Sequence, residues 1–200
     1  MRKLLLFIKF LEKEAGFRFD AESFEHRLML QKYVFISKFF GFNHGYSHSI
    51  YLRGPYSPTL ADDYYKLADY YSPYRGDYKK ELVGFNTEKF LKVIKGKDAK
   101  WLEIAATILS VYDRYRKKFH GDELIEKVIS TSCDIKSATK VEKIHHVFEE
   151  LKRVGLIEEP CPICGGKGEV IVSCLIKRDG SIKPITVFQC PACGGEGVKR

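Results

Sequence analysis

Four cysteines, Cys161, Cys164, Cys190 and Cys193, form two C-x2-C pairs separated by 25 residues. Each pair sits in the same frame, CPICGGKG and CPACGGEG. Two such pairs supply four soft thiolates, the donor set of a tetrahedral Zn2+ site. The glycines after each second cysteine tolerate positive φ, so backbone N–H groups can turn back toward sulfur and stabilise the thiolate. Four protein ligands leave no position for water, so the pattern predicts one structural, non-catalytic zinc. The same ligands also suit iron. Two disulfides are the competing reading, but paired C-x2-C in an intracellular chain reads as metal. Between the pairs, EVIVSCLIKRDGSIKPITVFQ alternates on both sides of Asp179-Gly180, a strong hairpin signal. A β-hairpin should therefore return the second pair to the first, which is a zinc ribbon. Cys174, inside the hairpin, reads as a packed apolar residue, and Cys133 lies in a polar turn.

The frame C-x2-C-x-G-x-G resembles the zinc motifs of the DnaJ chaperone cysteine-rich region. The resemblance covers about 40 residues and implies a fold rather than a chaperone activity.

A second concentration of chemistry lies in residues 46 to 78, which hold nine of the twelve tyrosines. Tyrosine joins a large apolar ring to a hydroxyl that wants a partner, and such clusters suit protein interfaces or base stacking. Within it, Arg53, Tyr56, Tyr64 and Tyr74 are the candidate partner-binding residues. Arg53 precedes a helix start at Ser57-Pro58, and the two together could hold an anion. The alternative for RGPYSP is a strand-to-helix corner in which Pro and Gly set the backbone and Tyr56 packs inside.

Enzyme activity is not expected. There is no Gly-x-Gly-x-x-Gly, no P-loop and no nucleophile elbow. Asp62 and Asp63 are adjacent, so on a helix they point about 100° apart and make a poor two-metal site. His145 and His146 are likewise adjacent.

The elements that must position these residues are mostly helices. Periodicity predicts helices over 3–14, from about Ser23 to Phe40, over 59–71, 87–95, 98–118, 123–131 and 139–154. Phe24, Leu28, Phe35 and Phe39 share the spacing of an inner face in the second, and Val141, Ile144, Phe148 and Leu151 in the last. Gly155 is placed to end that last helix. YSHSIYLR, 46–53, is a candidate strand. The resulting fold class is mainly α with a small β part: a helical, winged-helix-like body over 1–157 and a C-terminal zinc-ribbon hairpin over 158–200.

The stretch RLMLQKYVFISKFFG…YSHSIYLRGPYSPTLADDYYKL, with WLEIAATILSVY and ELIEKV…VFEELKRVGLI after it, resembles the YwgA-like proteins and the related Panacea (SocA-type antitoxin) domain. Leu30, Gln31 and Lys32 match the first part of that pattern, and Gly54, Pro55, Tyr56, Ser57 and Pro58 the second. Arg53 stands where the family often has Tyr, and the family pattern has no zinc ribbon. The resemblance implies a mainly helical domain over 1–157 and, for some members, neutralisation of partner toxins through protein contacts.

Residues 122–158 also have the shape of a helix-turn-helix, with the ribbon where a wing would stand. Lys140, Lys143 and Arg153 lie on or beside its last helix, and Lys177, Arg178 and Lys183 at the hairpin tip. These are the candidate nucleic-acid contacts, on DNA or RNA. A solvated charged face is the alternative, since Glu142, Glu149 and Glu150 share the helix. The net charge of +8, from 34 basic and 26 acidic residues, favours a polyanionic partner weakly. LLLFIKFL is too short to span a bilayer and has no cleavage site after it, so a cytoplasmic protein is expected. Asn and Gln total four against many Lys and Glu, a thermophile-like bias. Two functions stand: a regulatory zinc-ribbon protein binding nucleic acid, or an antitoxin-like interaction module using the tyrosine surface 46–78.

Overall fold

The computed structural model describes residues 1–69, 78–177 and 181–198, with the side chains at 68, 69, 79, 80, 174, 175 and 185 outside that set. Tyr74, Arg178, the Asp179-Gly180 turn and the side chain of Cys174 therefore lie outside the described residues. The chain is mainly helical, with two small two-stranded antiparallel sheets. It divides into two compact units, Met1–Ser110 and Val111–Arg200.

In the first unit, α1 (Arg2–Glu14) buries Leu4, Phe7, Phe10 and Leu11, the stripe expected of an amphipathic helix. α2 (Phe24–Ser37) starts where Ser23 Oγ accepts the His26 amide. A 3₁₀ turn, Lys38–Phe40, tightens its end and Gly41 closes it at φ 86°. Residues 46–53 do not form one strand. Instead β1 (Ser49–Tyr51) pairs with β2 (Gly54–Tyr56), so the GPY of the corner is itself a strand. Gly54 is obligatory there. Its φ is +83°, and an added Cβ would sit 2.7 Å from Thr107 Oγ1. Ser57 Oγ then accepts the Leu60 amide and starts α3 (Pro58–Asp69) with proline at its first position.

After α4 (Tyr78–Glu81) and α5 (Thr87–Ile94), α6 (Ala99–Tyr115) is buried over 101–109 without a break. Glu103 and Thr107 are the polar residues within that run. Both are buried; Thr107 is satisfied by donating to the Glu103 carbonyl, and Glu103 by Lys100. The core of this unit is aromatic. Phe7, Phe10, Phe42, Phe85 and Phe90 interlock with ring centroids 5.1–6.2 Å apart.

In the second unit, α7 (Gly121–Ile135) is longer than the predicted 123–131. TSCD reads as a turn by propensity, but Val128 and Ser132 both pack inward at helical spacing, and burial overrides a weak local preference. Cys133 is thus on a helix. α8 (Val141–Arg153) buries Ile144, Val147, Phe148 and Leu151; Val141, expected inside, is exposed on its first turn. Gly155 ends α8 at φ 74°. Its amide donates to the Lys152 carbonyl and the Leu156 amide to Leu151, the paired bonds of a Schellman turn. β3 (Glu169–Ile176) and β4 (Ile182–Gln189) form the expected hairpin, in register from Glu169↔Gln189 to Ile176↔Ile182 with a bulge near Val172.

Candidate functional site

The hairpin brings the two C-x2-C turns together. Backbone bonds lock its root: the Cys161 amide donates to the Gly197 carbonyl and the Cys190 amide to Gly168. The four sulfurs lie within 4.8 Å of one another, and all four cysteines are buried. Sγ of Cys161 is 3.8 Å from that of Cys190, and Sγ of Cys164 is 3.8 Å from that of Cys193. A tetrahedron with metal–thiolate bonds near 2.3 Å has edges of about 3.8 Å. Two edges match that spacing, so the four thiols are placed to share a metal ion, and none is in a disulfide.

The glycine turns do what their positions require. The Gly168 amide donates to Cys164 Sγ and the Gly197 amide to Cys193 Sγ, each at 3.2 Å. The two knuckles thus repeat one geometry. Backbone N–H groups of Cys164 and Ile163 hold the Cys161 thiol down, to about 7, while burial pushes the Cys190 thiol up, to about 11.

The first knuckle rests on the start of α7. A Cβ at Gly121 would collide with the Gly165 carbonyl, and one at Gly166 would collide with the Gly121 amide nitrogen. Backbone lies directly on backbone, and only glycine fits on either side.

The first unit holds a second site. Arg53, Tyr56 and Tyr64, three of the expected partner-binding residues, line one cleft of about 440 Å3. Its floor joins LQK to GPYSP. Gln31 Oε1 accepts the Ser57 amide and Gln31 Nε2 donates to the Ser57 carbonyl, both at 2.9 Å. Lys32 Nζ donates to the Pro55 carbonyl at 2.6 Å. Gln31, Lys32 and Ser57 are all buried. Burial raises the Tyr64 hydroxyl to about 12, so it stays a neutral donor.

Tyr51 and Tyr65 of the expected tyrosine surface line the same cleft, and so do Phe24, Arg27 and Leu52, which sequence reasoning missed. Spacing places Phe24 on an inner face, yet it is 55% exposed. The available signal is its place directly after the Ser23 cap, at the open end of the helix.

The basic candidates are exposed but not gathered. Lys140, Lys143 and Arg153 all face solvent, as do Lys177 and Lys183. Lys143 and Arg153 are ten residues apart on α8, about 15 Å along its axis. Glu142 and Glu149 are exposed on the same helix, and Lys152 is drawn to Glu159 at 3.5 Å. Along the hairpin, Ile171, Val172, Ile182 and Phe188 are exposed apolar residues.

Comparison with family models, with curated proteins and with solved structures returns no match. Among the described residues, no helix is long and apolar enough to cross a membrane.

Proposed function

We propose that this chain is a non-enzymatic, zinc-stabilised interaction module that binds a protein partner through the tyrosine-lined cleft of its first unit. The single observation that carries the reading is the convergence of Arg53, Tyr56 and Tyr64 on one cleft whose mouth exposes further aromatic rings. Tyr, Phe and Arg are the residues that concentrate binding energy at protein interfaces. The resemblance to the Panacea domain points the same way, and the Gln31–Ser57 and Lys32–Pro55 contacts join its two motif halves.

In this reading the four cysteines hold one Zn2+, and the hairpin they anchor is a zinc ribbon. Thiolates favour zinc or iron, and four of them close the coordination sphere, so the ion supplies folding energy rather than a reacting centre. Cobalt substitution, which gives tetrahedral thiolate sites a characteristic visible spectrum, reports the geometry directly.

A second reading rests on one observation. Lys140, Lys143 and Arg153 are all exposed on or beside α8, the second helix of the α7–α8 pair; on this reading the pair acts as a winged-helix-like unit and the hairpin takes the part of a wing. Nucleic acid, DNA or RNA, is the ligand this would suit. The interleaved glutamates and the apolar hairpin weaken it, so we rank it below the cleft.

Affinity recovery with the full metal-loaded chain, with and without nuclease, separates the two. The cleft reading expects a protein retained after nuclease and lost from Phe24→Ala and Tyr65→Ala. A partner released by nuclease, insensitive to both substitutions and bound more weakly as salt rises, contradicts it and supports the second.

A further inference from the structure

The cleft's chemistry is more specific than an aromatic surface, and assigning it a class of ligand rests on the reading of it as a partner site. Phe24, Arg27, Leu28 and Gln31 fall at helical spacing on one face of α2, which forms one wall. The β1–β2 turn carries Leu52 and Arg53 above it, and α3 contributes Tyr64 and Tyr65. Four large apolar side chains stand exposed around the mouth: Phe24 at 55%, Tyr51 at 54%, Leu52 at 87% and Tyr65 at 44%. Four of the fifteen exposed large hydrophobics among the described residues thus surround one cleft, which isolated surface residues would not do.

Its charge is one-sided. Arg27, Lys32 and Arg53 line the cleft, and among the described lining residues there is no carboxylate. Lys32 is committed to the floor by its bond to Pro55. Arg27 is held by the carbonyls of Ala21 and Glu22, with its guanidinium 5.9 Å from the rings of Phe24 and Tyr65. Arg53 lies 5.2 Å from the Phe24 ring, reaches Glu103 only at 4.0 Å, and is 58% exposed. Two guanidiniums therefore flank Phe24 at the rim of an apolar trough.

The geometry points to an acidic peptide segment of a partner protein as the occupant, with one bulky apolar side chain seated between Phe24, Tyr56 and Tyr65 and carboxylates reaching Arg53 and Arg27. The trough supplies affinity through the buried anchor, and the guanidiniums supply register through paired donors. A small nucleotide fits less well. Sites for small molecules enclose most of the ligand, whereas here the rings at the mouth are open to solvent, as a chain lying across the surface requires.

The test is selection of random displayed peptides on the full, metal-loaded chain, followed by anisotropy titration of the recovered sequences as fluorescein-labelled peptides. Phe24→Ala, Arg53→Glu and Leu52→Asp are the variants; all three positions are exposed, and circular dichroism checks that each folds. The inference expects recovered peptides to carry Asp or Glu on either side of Leu, Phe or Trp. Arg53→Glu should weaken them about tenfold or more, and Phe24→Ala similarly. Peptides that respond to Phe24→Ala but show no acidic bias and ignore Arg53→Glu overturn the acidic chemistry and leave the partner site standing. If no peptide responds to any of the three variants, or if Arg53→Glu instead abolishes binding of adenosine or guanosine monophosphate, both the inference and the partner-site reading fall.

Discussion

Gln31 is the residue on which the first unit's corner turns. Its amide satisfies both the N–H and the C=O of buried Ser57, the cap of α3. Replacing it with Leu leaves the buried Ser57 N–H without a partner, while the Ser57 carbonyl keeps its bond from the Ala61 amide. An unpaired buried N–H costs on the order of 1–3 kcal/mol. Gln31→Leu should therefore lower the urea midpoint by the equivalent of about 2 kcal/mol, against Arg18→Leu as an exposed control; an unchanged midpoint would show that the clasp is idle. Gly54→Ala should cost about as much, since it meets both a positive φ and Thr107. The sequence shows LQK and GPYSP as two separate short motifs. Their contact spans 26 residues, and no periodicity or propensity carries that distance. The cysteines are the opposite case. Their spacing and the glycines after them are sufficient to expect both the cluster and the N–H···S bonds, because the knuckle is a local structure.

At the scale of elements, legibility follows amphipathicity. α1, α5 and α8 each present one apolar stripe, and their spans lie within a residue or two of expectation. α6 carries Lys100, Glu103, Thr107, Ser110 and Arg114 at helical spacing, the pattern of one polar face, so the burial of Glu103 and Thr107 could not be read from it. The end of α7 is hidden by Ser and Thr, whose local preference is for turns. The packing of a knuckle on α7 is also invisible, since glycine is needed in the knuckle for its own turn as well as for the contact. Gly121→Val tests this contact. The Cβ would collide with the Gly165 carbonyl, so amide exchange near the start of α7 should accelerate by about an order of magnitude or more while bound metal per chain stays constant. Unchanged exchange with intact metal would mean that α7 and the knuckle do not constrain each other.

At the scale of the whole molecule, two histidines set a pH limit on the first unit. His44 sits among Phe7, Phe42 and Tyr46, and both its ring nitrogens are buried without partners. Burial, reinforced by the charge of Lys3, lowers it to about 3. Burial likewise lowers His48 to about 4 against a raising bond to the Tyr46 carbonyl. Both are neutral when folded at pH 7. The unfolded chain takes up their protons below about pH 6.5, so their contribution is complete above that value and is lost as pH falls toward 4 and 3. Between pH 6.5 and 5 each should remove about 1–2 kcal/mol. His44→Phe should flatten that fall, as followed by thermal melting across pH; a melting temperature independent of pH over this window would refute the burial of neutral rings. Nothing in GFNHGYSH distinguishes a buried histidine from a solvated one, because the aromatic cage comes from α1 and from residues beyond Phe40.

In the second unit the corresponding prediction attaches to the cysteine cluster at Cys161, Cys164, Cys190 and Cys193. The unit's two strands expose isoleucines, valines and Phe188, and among the described residues the sulfur cluster is the buried centre that the knuckles share. A pair of strands is marginal alone in water, so bound metal should carry the stability of residues 161–198. Elemental analysis of the reduced, purified full chain, read beside amide exchange across that span, tests this most directly. The account predicts about one zinc per chain, lost together with protection of the hairpin in Cys161→Ser or under strong chelation. A chain that carries no tightly bound metal yet keeps a fully protected hairpin would contradict it.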